Sequence, residues 1–99
     1  MKLQMHAVRF DADQKLLDFI EKKTEKLETF FDRIVDGEVF LKLEKDDNRE
    51  NKIVEIKLNV PGQRLFVKEQ SKSFEAATDL AVNSLKRQLR KHKEKLQKH

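Results

Sequence analysis

The 99-residue sequence contains no cysteine, tryptophan or tyrosine, and it has a single proline and two glycines. Without cysteine it has neither a disulfide framework nor a thiolate metal site, so packing alone must stabilise the fold, and the chain suits a reducing compartment. No apolar run approaches the roughly 20 residues of a membrane span, and the N-terminus MKLQMHAVRF lacks the apolar core of a secretory signal. We therefore expect a cytoplasmic protein with no membrane partner.

The length predicts one domain over residues 1–99, because two separate cores would each be too small to be stable. Charged residues make up 40% of the chain, but regularly spaced apolar residues, including seven Phe, argue against disorder. Residues 1–70 carry 14 basic and 15 acidic side chains, whereas residues 71–99 carry 8 and 3. The surplus of positive charge at one end predicts a polyanionic partner that is approached by one face.

Apolar periodicity predicts the element order β-α-β-β-β-α. We expect Asp11 or Asp13 to cap the first helix, Ser73 to cap the second, and Gly37 to end the first. Polar residues 46–51 and the Pro61-Gly62 pair should turn two antiparallel hairpins. The predicted strands span residues 2–10, 38–45, 52–60 and 64–70, and the predicted helices span 14–34 and 74 to 95 or beyond.

Each predicted helix has one apolar stripe, and each predicted strand is apolar on one face. This pattern indicates an α+β fold in which a four-stranded sheet carries two helices packed on one face and exposes the other face to solvent. The helix stripes consist of Leu16, Leu17, Ile20, Leu27, Phe30, Phe31 and Ile34, and of Phe74, Ala77, Ala81, Leu85, Leu89, His92 and Leu96.

Basic residues are segregated on both helices. At about 100° per residue, Lys86, Arg87, Arg90 and Lys93 lie between about 120° and 260° from Ala81, with Lys91 just beyond. Like-charge pairs at i,i+4 destabilise a helix, so a purely solvated face would mix the two signs. The first helix likewise has one basic flank, formed by Lys15, Lys22, Lys23, Lys26 and Arg33, and one acidic flank.

Two such helices side by side could line a shared positive groove, which indicates a nucleic-acid binder that contacts mainly phosphates. A platform for stacking single-stranded bases is poorly supported, because the chain has no Tyr or Trp and most Phe belong to apolar stripes. Phe66, which lies on the open sheet face, is the one candidate, although a partly covered sheet residue is the simpler interpretation.

Two other function classes are weaker. An enzyme would need positioned catalytic groups, yet there is no glycine-rich phosphate loop and no cluster of His or acids at metal spacing, so we expect neither catalysis nor a cofactor. A helix-mediated self-association module could use Leu85, Leu89, His92 and Leu96, which have coiled-coil spacing over fewer than two heptads. A generic double-stranded RNA-binding domain would use the same basic face.

Three segments, KLETFFDRI (26–34), LKLEK (41–45) and RQLRKHKEKL (87–96), resemble the short-form ribosome hibernation promoting factor family, which includes the ribosome-associated inhibitor and is also called the sigma-54 modulation protein family. The similarity covers nearly the whole chain. One departure is Ser84, where family members often carry Lys. Long members add a dimerisation domain after this region, and the short form is expected to rely on a separate ribosome-dimerising factor in some lineages.

The resemblance implies a protein that is monomeric when free and binds small-subunit rRNA in the mRNA and tRNA channel. There it would inhibit translation in stationary phase or stress. By position, the family's basic motif residues fall on Lys23, Lys26, Arg87, Lys91, Lys93 and Lys95. Together with the neighbours on the basic stripes, the candidate rRNA-binding residues are Lys22, Lys23, Lys26, Lys86, Arg87, Arg90, Lys91, Lys93 and Lys95.

Overall fold

The computed structural model describes residues 1–44 and 50–97. The predicted order β-α-β-β-β-α is confirmed, and a short 3-10 helix over Lys26–Thr29 follows the first α-helix. The other elements are β1 (Lys2–Ala7), α1 (Gln14–Glu25), β2 (Asp36–Leu43), β3 (Lys52–Val60), β4 (Gln63–Ser71) and α2 (Phe74–Gln97).

The four strands form one sheet in the order β1-β2-β3-β4. β1 pairs with β2 in parallel, whereas β2–β3 and β3–β4 are the predicted antiparallel hairpins. The second hairpin turns at Pro61-Gly62, where Gly62 has a φ of +79° that residues with a side chain rarely adopt. The Glu44 N–H donates to the Asn51 carbonyl at 3.0 Å beside the first hairpin turn, and most of the predicted turn at 46–51 lies outside the described residues.

One hydrophobic core lies between the sheet and the two helices. Ile20 of α1, Leu85 of α2, and Val39 and Ile56 of the sheet are all fully buried within it. The apolar stripe predicted for α2 is confirmed, because its members from Phe74 to His92 are buried and Leu96 is half-buried. On the opposite sheet face Phe66 remains 48% exposed, so the helices cover only one face, as expected.

The first helix is shorter than the sequence pattern predicts. It ends at Glu25 instead of Ile34, and the chain tightens into the 3-10 helix before it turns toward β2. The hydroxyls of Thr24 and Thr29 donate to the carbonyls of Ile20 and Lys26, both at 2.7 Å, and so satisfy acceptors near the end of the helical segment. Leu27 in the 3-10 helix and Phe31 and Ile34 beyond it are buried, so the apolar spacing continues past the α-helical end although the helix does not.

The predictions that Phe30 is buried and that Gly37 ends the first helix depend on that longer helix, and both are wrong. Phe30 is 42% exposed instead of buried. Gly37 lies inside β2, paired with Leu3 and Leu58, and does not end a helix. A Cβ at position 37 would lie 2.8 Å from Leu58 Cδ2 and 3.2 Å from Leu3 Cδ1, so close packing against neighbouring strands requires glycine here.

The strands differ from the predictions only at their ends, and the predicted helix caps are present. β1 stops at Ala7, and Arg9 has a positive φ of 64° in the loop that follows. β2 begins two residues earlier than predicted and ends at Leu43, which is 47% exposed. Asp13 accepts from the Lys15 N–H and Ser73 from the Ala76 N–H, both at 3.0 Å, which confirms both helix N-caps.

Candidate nucleic-acid interface

The helical segment from α1 through the 3-10 helix lies beside α2, and the two run in the same direction. Contacts with α2 by this segment and by the residues directly before and after it keep the same order along both parts of the chain, which fixes this direction. From one end to the other, the pairs are Phe10–Phe74 (ring centroids 5.3 Å apart), Lys23–Asp79 (3.3 Å), Phe30–Lys86 (5.1 Å from Nζ to the ring) and Phe31–His92 (5.3 Å). We call the surface between them the inter-helix groove.

The basic flank of α1 faces this groove. Lys23 reaches Asp79 on α2, and Lys26 shares one concave surface with Phe19, Lys22 and Lys23. On the other side, Glu28 of the 3-10 helix pairs with the N-terminal amino group beside β1, at 2.6 Å. Glu28 is therefore turned toward the β1 edge and away from α2.

The groove side of α2 carries Lys86, Arg90 and Lys93. Lys86 lies over Phe30 and so marks the flank that faces the 3-10 helix. Lys93 follows seven residues later and lies only about 20° from Lys86 around the helix, while Arg90 lies about 40° away, toward solvent. Arg90 and Lys93 are exposed, so the guanidinium group of Arg90 and the ammonium group of Lys93 can reach a ligand in the groove.

The remaining predicted residues of α2 do not line the groove. Lys91 is about 140° and Lys95 about 180° from Lys86 around the helix, and both border a depression next to Gln63 and Leu65 of β4. Arg87 is exposed between the two sides. The structure thus places Lys23, Lys26, Lys86, Arg90 and Lys93 around the groove. Lys22, which is about 100° from Lys23 around α1, lies outside it, as do Arg87, Lys91 and Lys95.

Carboxylates offset part of the positive charge of the groove, since Glu75 and Asp79 both lie within about 20° of Lys86 around α2. Asp79 pairs with Lys23, but their side chains are 52% and 37% exposed, so solvent screens this pair strongly. Glu25 also borders the surface formed by Lys22, Lys23 and Lys26. The ion pairs found among residues 1–44 and 50–97 do not involve Lys26, Lys86 or Lys93. These three ammonium groups remain free to bind an anion.

Three cations of the helical segments and the loop after them make cation–π contacts with phenylalanine rings. The Lys23 Nζ lies 5.6 Å from the Phe19 ring, the Lys86 Nζ lies 5.1 Å from the Phe30 ring, and the Arg33 guanidinium lies 5.4 Å from the Phe31 ring. Such contacts favour one position of a long side chain and leave its outward N–H donors available. Phe30 and Arg33 were not among the candidate site residues, although the adjacent phenylalanines 30 and 31 signalled that one ring must leave the core.

No helix among the described residues is long and apolar enough to cross a bilayer. Within residues 1–44 and 50–97, no group of three or more His, Asp or Glu side chains is arranged to hold a metal ion.

Comparison with known proteins agrees with this fold. Residues 3–97 match the family model described as Sigma 54 modulation protein / S30EA ribosomal protein. The ribosome hibernation promoting factor of Klebsiella oxytoca is 34% identical over the full length of both chains, and that of Pseudomonas putida is 32% identical over 98% of this chain and 91% of its own. A ribosomal subunit interface protein from Coxiella burnetii superposes with a TM-score of 0.84 at 26% identity, covering 95% of this chain and 99% of that one. The resemblance seen in the sequence is confirmed, and the chain belongs to the Sigma 54 modulation protein / S30EA ribosomal protein family.

Proposed function

We propose that this protein is a ribosome hibernation factor that binds the small ribosomal subunit through its rRNA. It would occupy the mRNA and tRNA channel and so inhibit translation in stationary phase or stress. Relatives that carry the name ribosome hibernation promoting factor support the biological role. The observation that carries the mechanism is the inter-helix groove, which is bordered by cations of two adjacent helical segments.

The two banks of the groove suit an RNA backbone. Packed helices lie about 8–10 Å apart, so Lys26 on one bank and Lys86 and Lys93 on the other can bind phosphates of one strand or of two adjacent strands. Since these contacts are made to phosphates, they would recognise the shape of the RNA before its sequence. Five phosphate contacts would give a log–log slope of affinity against salt of about −3.5 to −4.5.

Arg87, Lys91 and Lys95 have a secondary part in this proposal. They lie on the outer and β4 sides of α2 and would contact phosphates next to the main site, as expected if folded rRNA surrounds the helix. The protein would be a monomer when free, and in the cytoplasm it would associate with ribosomes. A separate ribosome-dimerising factor remains an expected additional partner.

The structure argues against the coiled-coil alternative. Leu85 and Leu89 are 0% and 1% exposed and His92 is 6% exposed, because all three pack in the domain's own core. They cannot also form a seam with a second chain. A competition experiment distinguishes a hibernation factor from a generic double-stranded RNA binder. In the presence of excess free duplex RNA, a hibernation factor should stay on small subunits, whereas a generic binder should leave them.

Two double variants of the same helix test the groove. Lys86→Glu with Lys93→Glu changes the groove side, whereas Lys91→Glu with Lys95→Glu changes the β4 side by the same net charge. In co-sedimentation with small subunits, we expect the groove variant to lose binding by at least about ten-fold more than its control, with a shallower salt slope. Equal losses in both variants would show that binding follows net charge alone and would refute the groove.

A further inference from the structure

The sheet face that the helices leave open carries a continuous row of aromatic and basic side chains. The His6 and Phe40 rings stack with centroids 4.9 Å apart and planes 21° apart. The Lys57 Nζ lies 5.3 Å from the centroid of the Phe40 ring. Lys57 pairs across the strands with Phe66, and cross-strand neighbours on one face are in side-chain contact. The row therefore crosses all four strands from His6 to Phe66.

Both ends of this row are accessible. Phe66 is 48% exposed and the His6 side chain 44% exposed. Strands in a sheet lie about 4.8 Å apart, so these two rings, three strand spacings apart, are about 14 Å from one another. They are thus far enough apart to stack on different bases of one extended strand.

The charge on this face is positive and its acids are occupied. By strand register the face holds five basic residues, Lys2, Lys42, Lys57, Arg64 and Lys68, and three acids, Asp36, Glu38 and Glu55. A fourth acid, Glu44, follows β2 and accepts a hydrogen bond from Gln70 of this face at 2.8 Å. Asp36 accepts a hydrogen bond from Asn59, Glu38 lies 3.4 Å from His6, and Glu55 pairs with Lys42 at 3.1 Å. In the part of the chain that the structure describes, no ion pair was found for Lys57, Arg64 or Lys68.

We propose that the open sheet face is a second RNA contact that binds a single-stranded segment by base stacking. Phe66 and His6 would supply ring faces, and Lys57, Arg64 and Lys68 would hold the phosphates between them. Stacking on aromatic rings beside a basic surface is how proteins bind single strands without reading sequence. The assignment rests on the proposed function, which already brings the protein to ribosomal RNA, and it adds a different face and a different form of RNA.

An RNA occupant fits this face better than a protein partner. A protein-binding sheet face would present aliphatic side chains, whereas here the exposed apolar groups are aromatic rings next to lysine and arginine side chains. Ile53, the aliphatic residue on this face in β3, is only 6% exposed and so offers little surface. The excess of positive charge complements a phosphate backbone.

Fluorescence anisotropy with two oligonucleotides of about 12 nucleotides tests the proposal. One is a single-stranded RNA without self-complementarity, and the other is an abasic strand with the same phosphates. We expect the parent protein to prefer the RNA, and Phe66→Ala to weaken RNA binding by about five-fold or more while leaving abasic binding unchanged. Phe66→Trp should keep the preference. Leu80→Ala, which removes an equally exposed side chain from α2, is the matched control and should behave as the parent.

The outcomes separate this site from the groove. Lys86→Glu with Lys93→Glu should weaken both oligonucleotides to a similar degree, because it removes phosphate contacts only. If the parent protein fails to bind small subunits, the proposed function is wrong. The stacking site can still be present in that case, and tighter binding of the RNA than of the abasic strand would show it. Equal binding of the parent to both strands would overturn the stacking site, as would a Phe66→Ala variant that binds RNA like the parent. A Phe66→Ala variant that loses subunits but keeps RNA would show that a protein covers this face, which also contradicts the proposal.

Discussion

Gly37→Ala should destabilise the domain through a steric clash, although alanine is a common strand residue. The new Cβ would lie 2.8 Å from Leu58 Cδ2 and 3.3 Å from the Lys57 carbonyl oxygen. Leu58 is fully buried, so its side chain has little room to move. Overpacking of this kind typically costs about 1–3 kcal/mol, and for a domain of this size each kcal/mol lowers the Tm by about 4–8 °C.

A double-mutant cycle with Leu58→Val identifies the cause. Valine lacks the Cδ2 atom in the clash, so Gly37→Ala should cost less in the Leu58→Val background, with a coupling energy of about 0.5 kcal/mol or more. Gly62→Ala is the control, because its cost comes from the φ of +79° with no atom within 4 Å of the new Cβ. Urea denaturation followed by circular dichroism measures each free energy of unfolding. Strict additivity of the Gly37 and Leu58 changes would refute the packing explanation.

The other predictions concern α2. Leu89 is 1% exposed, so Leu89→Ala should open a cavity and lower the free energy of unfolding by about 2–5 kcal/mol. Thermal denaturation measures this loss, and a Tm equal to that of the parent would show that α2 is placed wrongly. The triple reversal of Lys86, Arg90 and Lys91 to Glu should abolish ribosome co-sedimentation yet leave the Tm near or above that of the parent. Positions 86 and 90 stay like-charged, but the repulsive pairs Arg87–Lys91 and Lys91–Lys95 become attractive. Unchanged sedimentation, or loss of the folded state, would contradict this expectation.

Local patterns were sufficient to predict most of the fold. The apolar stripe of α2 is continuous from Phe74 to His92, and each strand alternates over at least five residues, so burial and face follow directly from periodicity. The Asp13 and Ser73 caps are local as well, since each side chain bonds an amide two or three residues away. The predicted Pro61-Gly62 turn is confirmed. Proline fixes a φ that suits the first turn position, and glycine tolerates the φ of +79° at the next.

Tertiary packing decided what the sequence pattern could not show. Leu27, Phe31 and Ile34 are spaced by four and then three residues, as in an α-helix, so their pattern gave no signal that α1 ends at Glu25. Gly37 looked like a helix terminator, but its role depends on a side chain 21 residues away in β3. The aromatic row on the open face was missed because Phe40 joins His6 only through parallel pairing of β1 with β2, and this pairing is non-local.

The candidate site was only partly predictable for a similar reason. A helical wheel places Lys86 and Lys91 on one broad basic stripe, but it does not show which part of that stripe the neighbouring helix will face. The contacts of Lys86 with Phe30, and of Lys23 with Asp79, locate the groove on one flank of α2. Lys91 and Lys95 consequently lie on the other flank, beside β4.

A cryo-EM map of the protein bound to small ribosomal subunits is the most direct test of the central claim. The account predicts that the ammonium groups of Lys26, Lys86 and Lys93 lie within hydrogen-bonding distance of rRNA phosphate oxygens, with the inter-helix groove against RNA. A map in which that groove faces solvent or a ribosomal protein, while other surfaces hold the protein in place, would contradict it.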